Sequence, residues 1–342
     1  MTAQAKDFPA IFEELATGTL SAEATRVAFA AVLGGKWSSA EVAGFLCGLR
    51  VHGENESVIR EAACAMRDAM VPVTHSFGDL LDTCGTGGDG TGTVNLSTGS
   101  AILCAACGVR VAKHGNRAAS SKAGSADVLE KLGISTDLPA NSVEPVLREA
   151  GIAFMMAPLH HPAVRHVVPV RKALKIRTLF NCLGPLANPA GANLQLLGAY
   201  ADNLRPILAA TLRDLGTRRA WVVRGEDGMD EISPYAKTRV TELEAGKLRE
   251  FVVSPEDFGV STSAPGAAQG GTAEQNAEII HAVLSGKSHS ATDAFIINAA
   301  AGLVVALGMP MKDAAMKVRE VLKSGAAMAT LERWRKVTHA HG

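Results

Sequence analysis

The sequence lacks the features of secreted, membrane-spanning and nucleic-acid-binding chains. Its 342 residues include only six cysteines, and its 34 Lys and Arg residues equal its 34 Asp and Glu residues in number. A net charge of zero gives no basic field that would attract nucleic acid. Residues 1–7 carry no cationic segment followed by an apolar run, and no apolar stretch approaches the roughly 18 residues of a membrane span. We therefore expect a cytoplasmic protein without nucleic-acid or membrane partners.

Cysteine and histidine form no metal or redox motif in this sequence. Cys104 and Cys107 make a C-x-x-C pair, but they lie in an alanine-rich segment, and no second pair has the spacing of a zinc site. We interpret both as small core residues. His160, His161 and His166 lie near prolines in a predicted loop, and their spacing is unlike that of a metal-binding helix.

The length of the chain allows about two domains. Residues 8–70 predict four short helices and no strand, because apolar residues recur there at helical spacing. Ser38 and Glu41, for example, form a capping box that begins one helix. From about residue 78 short apolar strands alternate with helix-length segments, which predicts a mostly parallel sheet between helices. The predicted strands are 80–83, 109–113, 152–155, 194–199 and 220–224.

The predicted fold class is therefore α/β. A small all-helical N-terminal domain is expected over residues 1–76, and a larger α/β domain with a mostly parallel central sheet over residues 77–342. Residues 272–336 are expected to be mostly helical. Ligands of such sheets bind at the carboxyl ends of the strands, so the loops at those ends are the expected ligand-binding region.

A glycine-rich segment over residues 82–98 is the most informative feature of the chain. Its five glycines between positions 85 and 92 let the backbone take positive φ and bring N–H groups close to a ligand. Asn95, Ser97 and Thr98 follow where a helix begins, and they add donors at the positive end of its dipole. The segment matches neither the P-loop nor the dinucleotide fingerprint. It predicts a phosphate-binding loop, with a tight connection between packed elements as the alternative.

A second polar loop, residues 113–127, follows the next predicted strand. It contains Lys113, His114, Asn116 and Arg117 together with three serines. Because it leaves the same edge of the sheet as the glycine-rich segment, the two loops could face a single large polyanion. The alternative is a solvated loop in which Ser125 caps the following helix.

An acidic segment, residues 225–231, follows the predicted strand 220–224. It includes Glu226, Asp227, Asp230 and Glu231. Carboxylates crowded at a strand end repel one another unless a hard cation lies among them, and Mg²⁺ typically uses one or two carboxylates plus substrate phosphates. The segment predicts a magnesium site, with an acidic surface turn as the alternative.

Arg171 lies among apolar and proline neighbours within residues 167–189. Its planar guanidinium could pair with the carboxylate of an otherwise apolar substrate. An arginine on a helix surface is the alternative.

The sequence closely resembles the anthranilate phosphoribosyltransferase family over nearly its whole length. The resemblance is carried by four motifs: Gly85-Thr86-Gly87-Gly88-Asp89, residues 113–121 continuing through 124–127, residues 171–189, and Asp230-Glu231-Ile232-Ser233. Members of this family join anthranilate to 5-phosphoribosyl 1-pyrophosphate in tryptophan biosynthesis and release pyrophosphate. The resemblance implies a fold similar to that of class II pyrimidine nucleoside phosphorylases, in which residues from about 165–192 join the helical domain. It also implies a homodimer formed through that domain.

The resemblance further implies roles for individual residues. Phosphoribosyl pyrophosphate would bind to Gly85, Gly88, Asp89, Thr93, Asn95, Leu96, Ser97, Thr98, Lys113, His114, Gly115, Asn116, Arg117, Ala118, Ala119, Ser120, Ser121 and Ser125. Two Mg²⁺ ions per monomer would bind to Ser97, Asp230 and Glu231. Anthranilate would contact Gly85, Asn116 and Arg171, with His114 and Pro185 lining its channel. We expect no strong general base, since a neutral aromatic amine is a usable nucleophile and catalysis then requires positioning and stabilisation of the leaving group.

Three positions depart from the family pattern, and two other functions stay open. Arg224 stands where the family more often has histidine, Val94 where phenylalanine is common, and residues 233–236 differ after the acidic pair. Arg224 could therefore alter metal affinity. A pyrimidine nucleoside phosphorylase would share the fold, although the long loop after Lys113 argues against it. A non-catalytic nucleic-acid-binding paralogue is disfavoured by the zero net charge.

Overall fold

The N-terminal part of the chain folds into four helices in the computed structural model, which describes residues 7–118 and 122–342. These helices are α1 (Phe8–Ala16), α2 (Ala22–Leu33), α3 (Ser39–His52) and α4 (Glu56–Asp68). The capping box predicted before α3 is confirmed, because the backbone N–H of Glu41 donates to Ser38 Oγ at 3.3 Å and the backbone N–H of Ser38 donates to Glu41 Oε2 at 2.7 Å. Four helices without a strand agree with the sequence prediction.

A single seven-stranded sheet forms the centre of the remaining chain. Its strands are β1 (Leu81–Gly85), β2 (Val111–Gly115), β3 (Ile152–Met156), β4 (Leu194–Gly198), β5 (Arg219–Gly225), β6 (Thr238–Glu244) and β7 (Lys247–Val253). They lie in the order β3-β2-β1-β4-β5-β6-β7, with β1 to β5 parallel and β6 and β7 antiparallel. All five predicted strands are confirmed. The antiparallel pair at one edge was not predicted.

Eleven further α-helices are found in the described residues, and they cover the sheet. They are α5 (Leu96–Ala106), α6 (Ser125–Lys131), α7 (Ala140–Ala150), α8 (Ala157–His160), α9 (Val168–Leu174), α10 (Phe180–Leu186), α11 (Leu204–Asp214), α12 (Ala273–Leu284), α13 (Thr292–Leu307), α14 (Met311–Lys323) and α15 (Ala326–His341). Among the described residues no single helix has the length and apolar composition needed to cross a membrane, although α13 and α14 meet that test jointly as a pair bent by 117°.

Two hydrophobic clusters hold these layers together. The larger one joins the sheet to α5, α6, α7 and the C-terminal helices. The second joins α1–α4 to α9–α11 and to the face of the sheet that carries Leu197 and Val222. Within it, Phe29 of α2 lies 5.6 Å from Phe45 of α3 and 5.8 Å from Phe180 of α10, measured between ring centroids. This packing supports a mid-chain contribution to the helical domain, whose exact bounds at 76 and 165–192 stay a prediction.

The register of the sheet brings the predicted loops to one edge. Gly85 at the end of β1 pairs with Gly198 at the end of β4, and Gly115 at the end of β2 pairs with Met156 of β3. The glycine-rich segment, the second polar loop and the acidic segment therefore all leave the carboxyl edge of the same parallel strands, where ligands of such sheets bind.

Candidate active site

A polar cavity of about 310 Å³ opens at this edge of the sheet. Its walls come from the glycine-rich segment, the second polar loop and the region of α9 and α10. The predicted site residues that line it are Gly85, Gly88, His114, Gly115, Asn116, Arg117, Ala118, Arg171 and Pro185. The structure therefore brings together residues from three of the four sequence motifs.

A mostly apolar cavity of about 350 Å³ adjoins the polar one. His114, Asn116, Arg171, Phe180 and Gly184 line both cavities. The rest of its wall is formed largely by Met66 and by prolines and valines of α8, α9 and the 3₁₀ turn between them. A more polar and a more apolar ligand space thus meet at a shared set of side chains, as expected when a polyanion and a small aromatic molecule must react with each other.

The glycine-rich segment is held in place by the neighbouring strand ends. The backbone N–H of Thr86 donates to the carbonyl oxygen of Gly198 at 2.8 Å, and Thr86 Oγ1 accepts from the backbone N–H of Tyr200 at 2.9 Å. Gly87 and Gly88 both have positive φ, 69° and 75°. These contacts fix the loop, and its glycines have no side chains that would keep a ligand away from the backbone.

Three carboxylates from two loops meet beside the glycine-rich segment. Asp230 Oδ2 accepts a hydrogen bond from the backbone N–H of Gly87 at 3.0 Å. The backbone N–H of Asp230 donates to Asp89 Oδ2 at 3.4 Å. Burial, and then repulsion by Asp89, raises the pKa of Asp230 to about 7. Burial, and then repulsion by Asp230, raises the pKa of Glu231 to about 8. A bound cation would remove both penalties, so these residues fit Mg²⁺ in their chemistry.

The predicted metal ligands do not form a complete metal site by themselves. In residues 7–118 and 122–342, no group of three or more His, Cys, Asp or Glu side chains could hold a metal ion by itself. This agrees with magnesium sites that use one or two carboxylates and complete their coordination with water and substrate phosphates. Ser97, the third predicted metal ligand, lies close by, because its backbone N–H favours the ionised form of Glu231.

Lys113 lies beneath the site rather than on its surface. Its side chain is buried, and its Nζ donates to the carbonyl oxygen of Thr83 at 2.6 Å and to Ser97 Oγ at 3.4 Å. Burial lowers the pKa of Lys113, opposed by the nearby carboxylate of Asp82. Its charge also favours the ionised form of Glu231. In the described structure Lys113 thus orients Ser97 and supplies positive charge under the carboxylates.

The second polar loop is stabilised by its own side chains. The guanidinium of Arg117 forms ion pairs with Glu130 and Asp127 and is half exposed. Asp127 Oδ2 also accepts from the backbone N–H groups of Ala118 and Gly124, each at 2.9 Å. Gly124 therefore occupies the N-cap of α6, and the alternative in which Ser125 is the N-cap is wrong. Asp127, at position N3, accepts the backbone N–H of this N-cap glycine.

The remaining predicted ligands of this loop divide into two groups. Ser125 Oγ donates to the carbonyl oxygen of Asn116 at 3.2 Å, so it braces the loop from the first turn of α6. Ala119, Ser120 and Ser121 lie outside the described residues.

The start of α5 uses its polar side chains to join neighbouring segments. Asn95 Nδ2 donates to the carbonyl oxygen of Ala123 at 3.2 Å, and Asn95 Oδ1 accepts from Asn276 Nδ2 at 2.8 Å. Leu96 and Thr98 are buried, so a ligand would meet the backbone of Leu96 and not its side chain. Thr93, which is half buried, forms an isolated bridge with Gln269. The predicted donors at this helix start therefore hold the loops together as well.

A pair of buried histidines stands between the two cavities. The rings of His114 and His161 lie 5.0 Å apart. Burial lowers the pKa of His114 to about 3 and that of His161 to about 4, so both rings are neutral at pH 7. His114 Nδ1 faces the carbonyl oxygen of Gly184 at 3.0 Å, and its Nε2 has no partner among the described residues. Sequence reasoning gave His161 no role, because its partner lies 47 residues away and only the fold brings them together.

Two arginines near the site have contrasting surroundings. Arg171 is mostly buried, its guanidinium lies 5.7 Å from the ring centroid of Phe180, and burial lowers its pKa. Arg224 instead donates from Nη1 to the carbonyl oxygen of Ala199 at 3.0 Å. Arg171 thus presents a charge to both cavities, whereas Arg224 is engaged with the backbone.

Comparisons with known proteins agree with this geometry. Family models described as "Glycosyl transferase family, helical bundle domain" and "Glycosyl transferase family, a/b domain" match residues 11–70 and 77–328. The chain is 43% identical over 337 residues to an anthranilate phosphoribosyltransferase of Desulfatibacillum aliphaticivorans, covering 98% of this chain and 100% of that one. It is also similar to the solved structure of the Thermus thermophilus anthranilate phosphoribosyltransferase, with 40% identity, a TM-score of 0.89 and coverage of 96% and 99% of the two chains.

A solved structure of the Saccharomyces cerevisiae enzyme in complex with PRPP and Mg is similar too. It has 28% identity and a TM-score of 0.90, and the match covers 97% of this chain and 98% of that one. These similarities do not favour either of the two other functions that the sequence left open. By both sequence and fold, the chain belongs to the glycosyl transferase family of the two models and, within it, to the anthranilate phosphoribosyltransferases.

Proposed function

We propose that this chain transfers the phosphoribosyl group of 5-phosphoribosyl 1-pyrophosphate to the amine of anthranilate, with release of pyrophosphate, as a step of tryptophan biosynthesis. The observation that carries the proposal is the meeting of a glycine-lined polar cavity and an apolar cavity at Asn116 and Arg171. A polyanionic sugar and an aromatic acid would each find a matching space, with their reactive atoms at the shared wall.

The apolar cavity suits anthranilate. Its prolines, valines and Met66 would cover the ring, while Arg171 would pair with the carboxylate. Burial lowers the pKa of Arg171 because it disfavours the charged guanidinium. The carboxylate of a bound anthranilate would offset this loss of hydration. An aromatic amine is a weak base and is unprotonated near neutral pH, and the neutral His114 and His161 place no cation beside it. The amine can then attack ribose C1 directly.

The polar cavity suits phosphoribosyl pyrophosphate. The backbone of Gly85 to Gly88 and the loop from His114 to Ala118 would surround the phosphates, and we propose that the other residues implied by the resemblance also support binding of this substrate. Asp230, Glu231 and Ser97 would hold two Mg²⁺ ions per monomer. When bound, these ions would neutralise the charge that develops on the departing pyrophosphate. Lys113 would keep Ser97 and Glu231 in position from below.

A homodimer formed through the helical domain, which the family resemblance implies, and a cytoplasmic location, which the sequence suggests, are further proposals. Light scattering coupled to gel filtration tests the first, and cell fractionation tests the second.

Anthranilate fluorescence gives the direct test of the reaction. We expect the purified protein to consume anthranilate only when both phosphoribosyl pyrophosphate and Mg²⁺ are present. Chelation of the metal should stop the reaction, and added Mg²⁺ should restore it. Unchanged anthranilate in the complete mixture would overturn the proposed function.

Replacement of Arg171 by alanine separates the roles of the two cavities. We expect the KM for anthranilate to rise by about ten- to a hundredfold, because a hydrogen-bonded pair of charges is lost. The KM for phosphoribosyl pyrophosphate should change far less. Initial rates at varied concentrations of each substrate measure both values.

The exposed Lys172, the next residue of α9, provides the matched control. Lys172→Ala should leave both KM values near those of the parent protein. An Arg171→Ala protein with an unaltered KM for anthranilate would remove Arg171 from the site.

A further inference from the structure

Arg177 is a cation beside the glycine-rich segment for which neither the sequence nor the proposed function gives a role. It lies in the connection between α9 and α10, a few residues before Phe180 and Asn181, which line the polar cavity. Among the described residues its guanidinium takes part in no hydrogen bond or ion pair, although most other arginines of the chain have a partner. The guanidinium instead makes a cation–π contact with Tyr200, whose ring centroid lies 4.6 Å from Arg177 Cζ.

The guanidinium of Arg177 stands directly over Gly88. A Cβ atom added to Gly88 would lie 3.3 Å from Arg177 Nε and 3.5 Å from Nη2. Gly88 therefore lets the guanidinium approach the loop backbone more closely than a side chain would. Gly87, the residue before it, donates its backbone N–H to Asp230. Arg177 and the metal-binding carboxylates thus approach consecutive residues of one loop.

The position of Arg177 is fixed by the same loop. Tyr200 is buried and donates its backbone N–H to Thr86 Oγ1 at 2.9 Å, so the backbone that carries its ring is tied to the glycine-rich segment. The guanidinium stacks on that ring and keeps its N–H edges free. A planar fork held this way loses little entropy on binding a phosphate.

We propose that Arg177 binds the pyrophosphate group of the phosphoribosyl donor and stabilises it as it leaves. The inference rests on the proposed function, and it gives each acidic substrate its own arginine: Arg171 for the carboxylate in the apolar cavity and Arg177 for the pyrophosphate over Gly88. The negative charge on the bridging oxygen grows as the electron pair of its bond to ribose C1 leaves with the pyrophosphate. The lone pair of the anthranilate nitrogen forms the new bond to C1, and that nitrogen then releases a proton to water. An arginine that contacts the departing group therefore acts most strongly in the transition state.

Calorimetric titration of inorganic pyrophosphate in the presence of Mg²⁺ tests this role without turnover. Arg177→Gln should weaken pyrophosphate binding by roughly ten- to a hundredfold, as expected for the loss of charge-assisted hydrogen bonds. Arg177→Lys should weaken it less, because it keeps the charge and loses the planar fork. Lys172→Gln removes an exposed cation from the same segment and should bind pyrophosphate like the parent protein.

Steady-state kinetics of the same variants distinguish a pyrophosphate contact from a structural role. Arg177→Gln should raise the KM for phosphoribosyl pyrophosphate and lower kcat, while the KM for anthranilate stays near the parent value. Pyrophosphate affinity equal to that of the parent, or an equal loss in Lys172→Gln, would overturn the inference. If Arg177→Gln does not fold, Arg177→Lys provides the test. Pyrophosphate affinity in Arg177→Lys equal to that of the parent protein would then overturn the inference. A parent protein that binds pyrophosphate but leaves anthranilate unchanged would contradict the proposed function and not this contact.

Discussion

Replacement of Asp230 by asparagine together with Glu231 by glutamine should reduce kcat/KM by at least about a thousandfold. The two amides keep the shape of the side chains and remove the charges that would hold Mg²⁺. Asp230 Oδ2 accepts a hydrogen bond from Gly87, and an asparagine oxygen can still accept it. The loss should therefore reflect the metal and not the loop. Anthranilate fluorescence at increasing Mg²⁺ concentrations measures it.

The same double variant should be at least as stable as the parent protein when no metal is present. The pKa values of Asp230 and Glu231 are raised to about 7 and about 8 in the folded protein, against roughly 4 in an unfolded chain. Between those values the folded state binds more protons than the unfolded state, so the stability of the parent falls as the pH rises from about 4 to about 8. The double variant lacks both groups and escapes that loss.

Thermal unfolding in the presence of a chelator checks this stability relation. The melting temperature of the double variant, relative to the parent, should be higher at pH 8 than at pH 5. Glu226→Gln provides the matched control, because Glu226 belongs to the same acidic segment but is exposed and lies 3.7 Å from Arg239. That control should retain activity. Full activity in the double variant would refute the metal role of the acidic pair.

The sequence predicts the parallel part of the fold well because its signal is local. Strands β3, β4 and β5 contain the short apolar runs that a strand buried on both faces needs, whereas β1 and β2 also carry buried polar residues such as Asp82 and Lys113. Strand β7 at the edge of the sheet is mostly exposed, and its neighbour β6 is mostly buried, but both carry charged residues, among them Arg239, Glu242 and Arg249. Glu242 accepts from Trp221 Nε1 at 2.9 Å and pairs with Arg249, and neither contact can be read from the charges alone.

In the candidate site, too, the sequence predicts residues within one motif but not the contacts between residues far apart in the chain. The glycines at 85 and 88 are visible in the sequence, and the structure places both on the cavity wall. The sequence also marks Lys113 and Arg117 as cations of one loop, but it cannot show that Lys113 is buried under Ser97 or that Arg117 is held by Glu130. His161 and Arg177 acquire a position only through partners far along the chain.

Replacement of Gly198 by alanine should damage both the fold and the site, because there is no space for a methyl group. A Cβ atom at Gly198 would lie 1.5 Å from the carbonyl oxygen of Asp230 and 2.5 Å from its carbonyl carbon. Both atoms belong to the backbone, so no side-chain rotation can relieve the clash. The end of β4 and the acidic segment must move apart. We expect the free energy of unfolding to fall by about 3 kcal/mol.

The same displacement should reduce kcat/KM by about a hundredfold or more in the protein that remains folded, since a shift of about 1 Å in a catalytic group has that effect. Denaturant unfolding and the anthranilate assay measure the two losses separately. Gly78→Ala is the matched control, because Gly78 is exposed and has no neighbouring atom within 4 Å of an added Cβ. It should change the free energy of unfolding by less than about 1 kcal/mol. A Gly198→Ala protein with parental activity would show that Asp230 need not lie against β4, and the close approach of strand and carboxylate would then have no catalytic meaning.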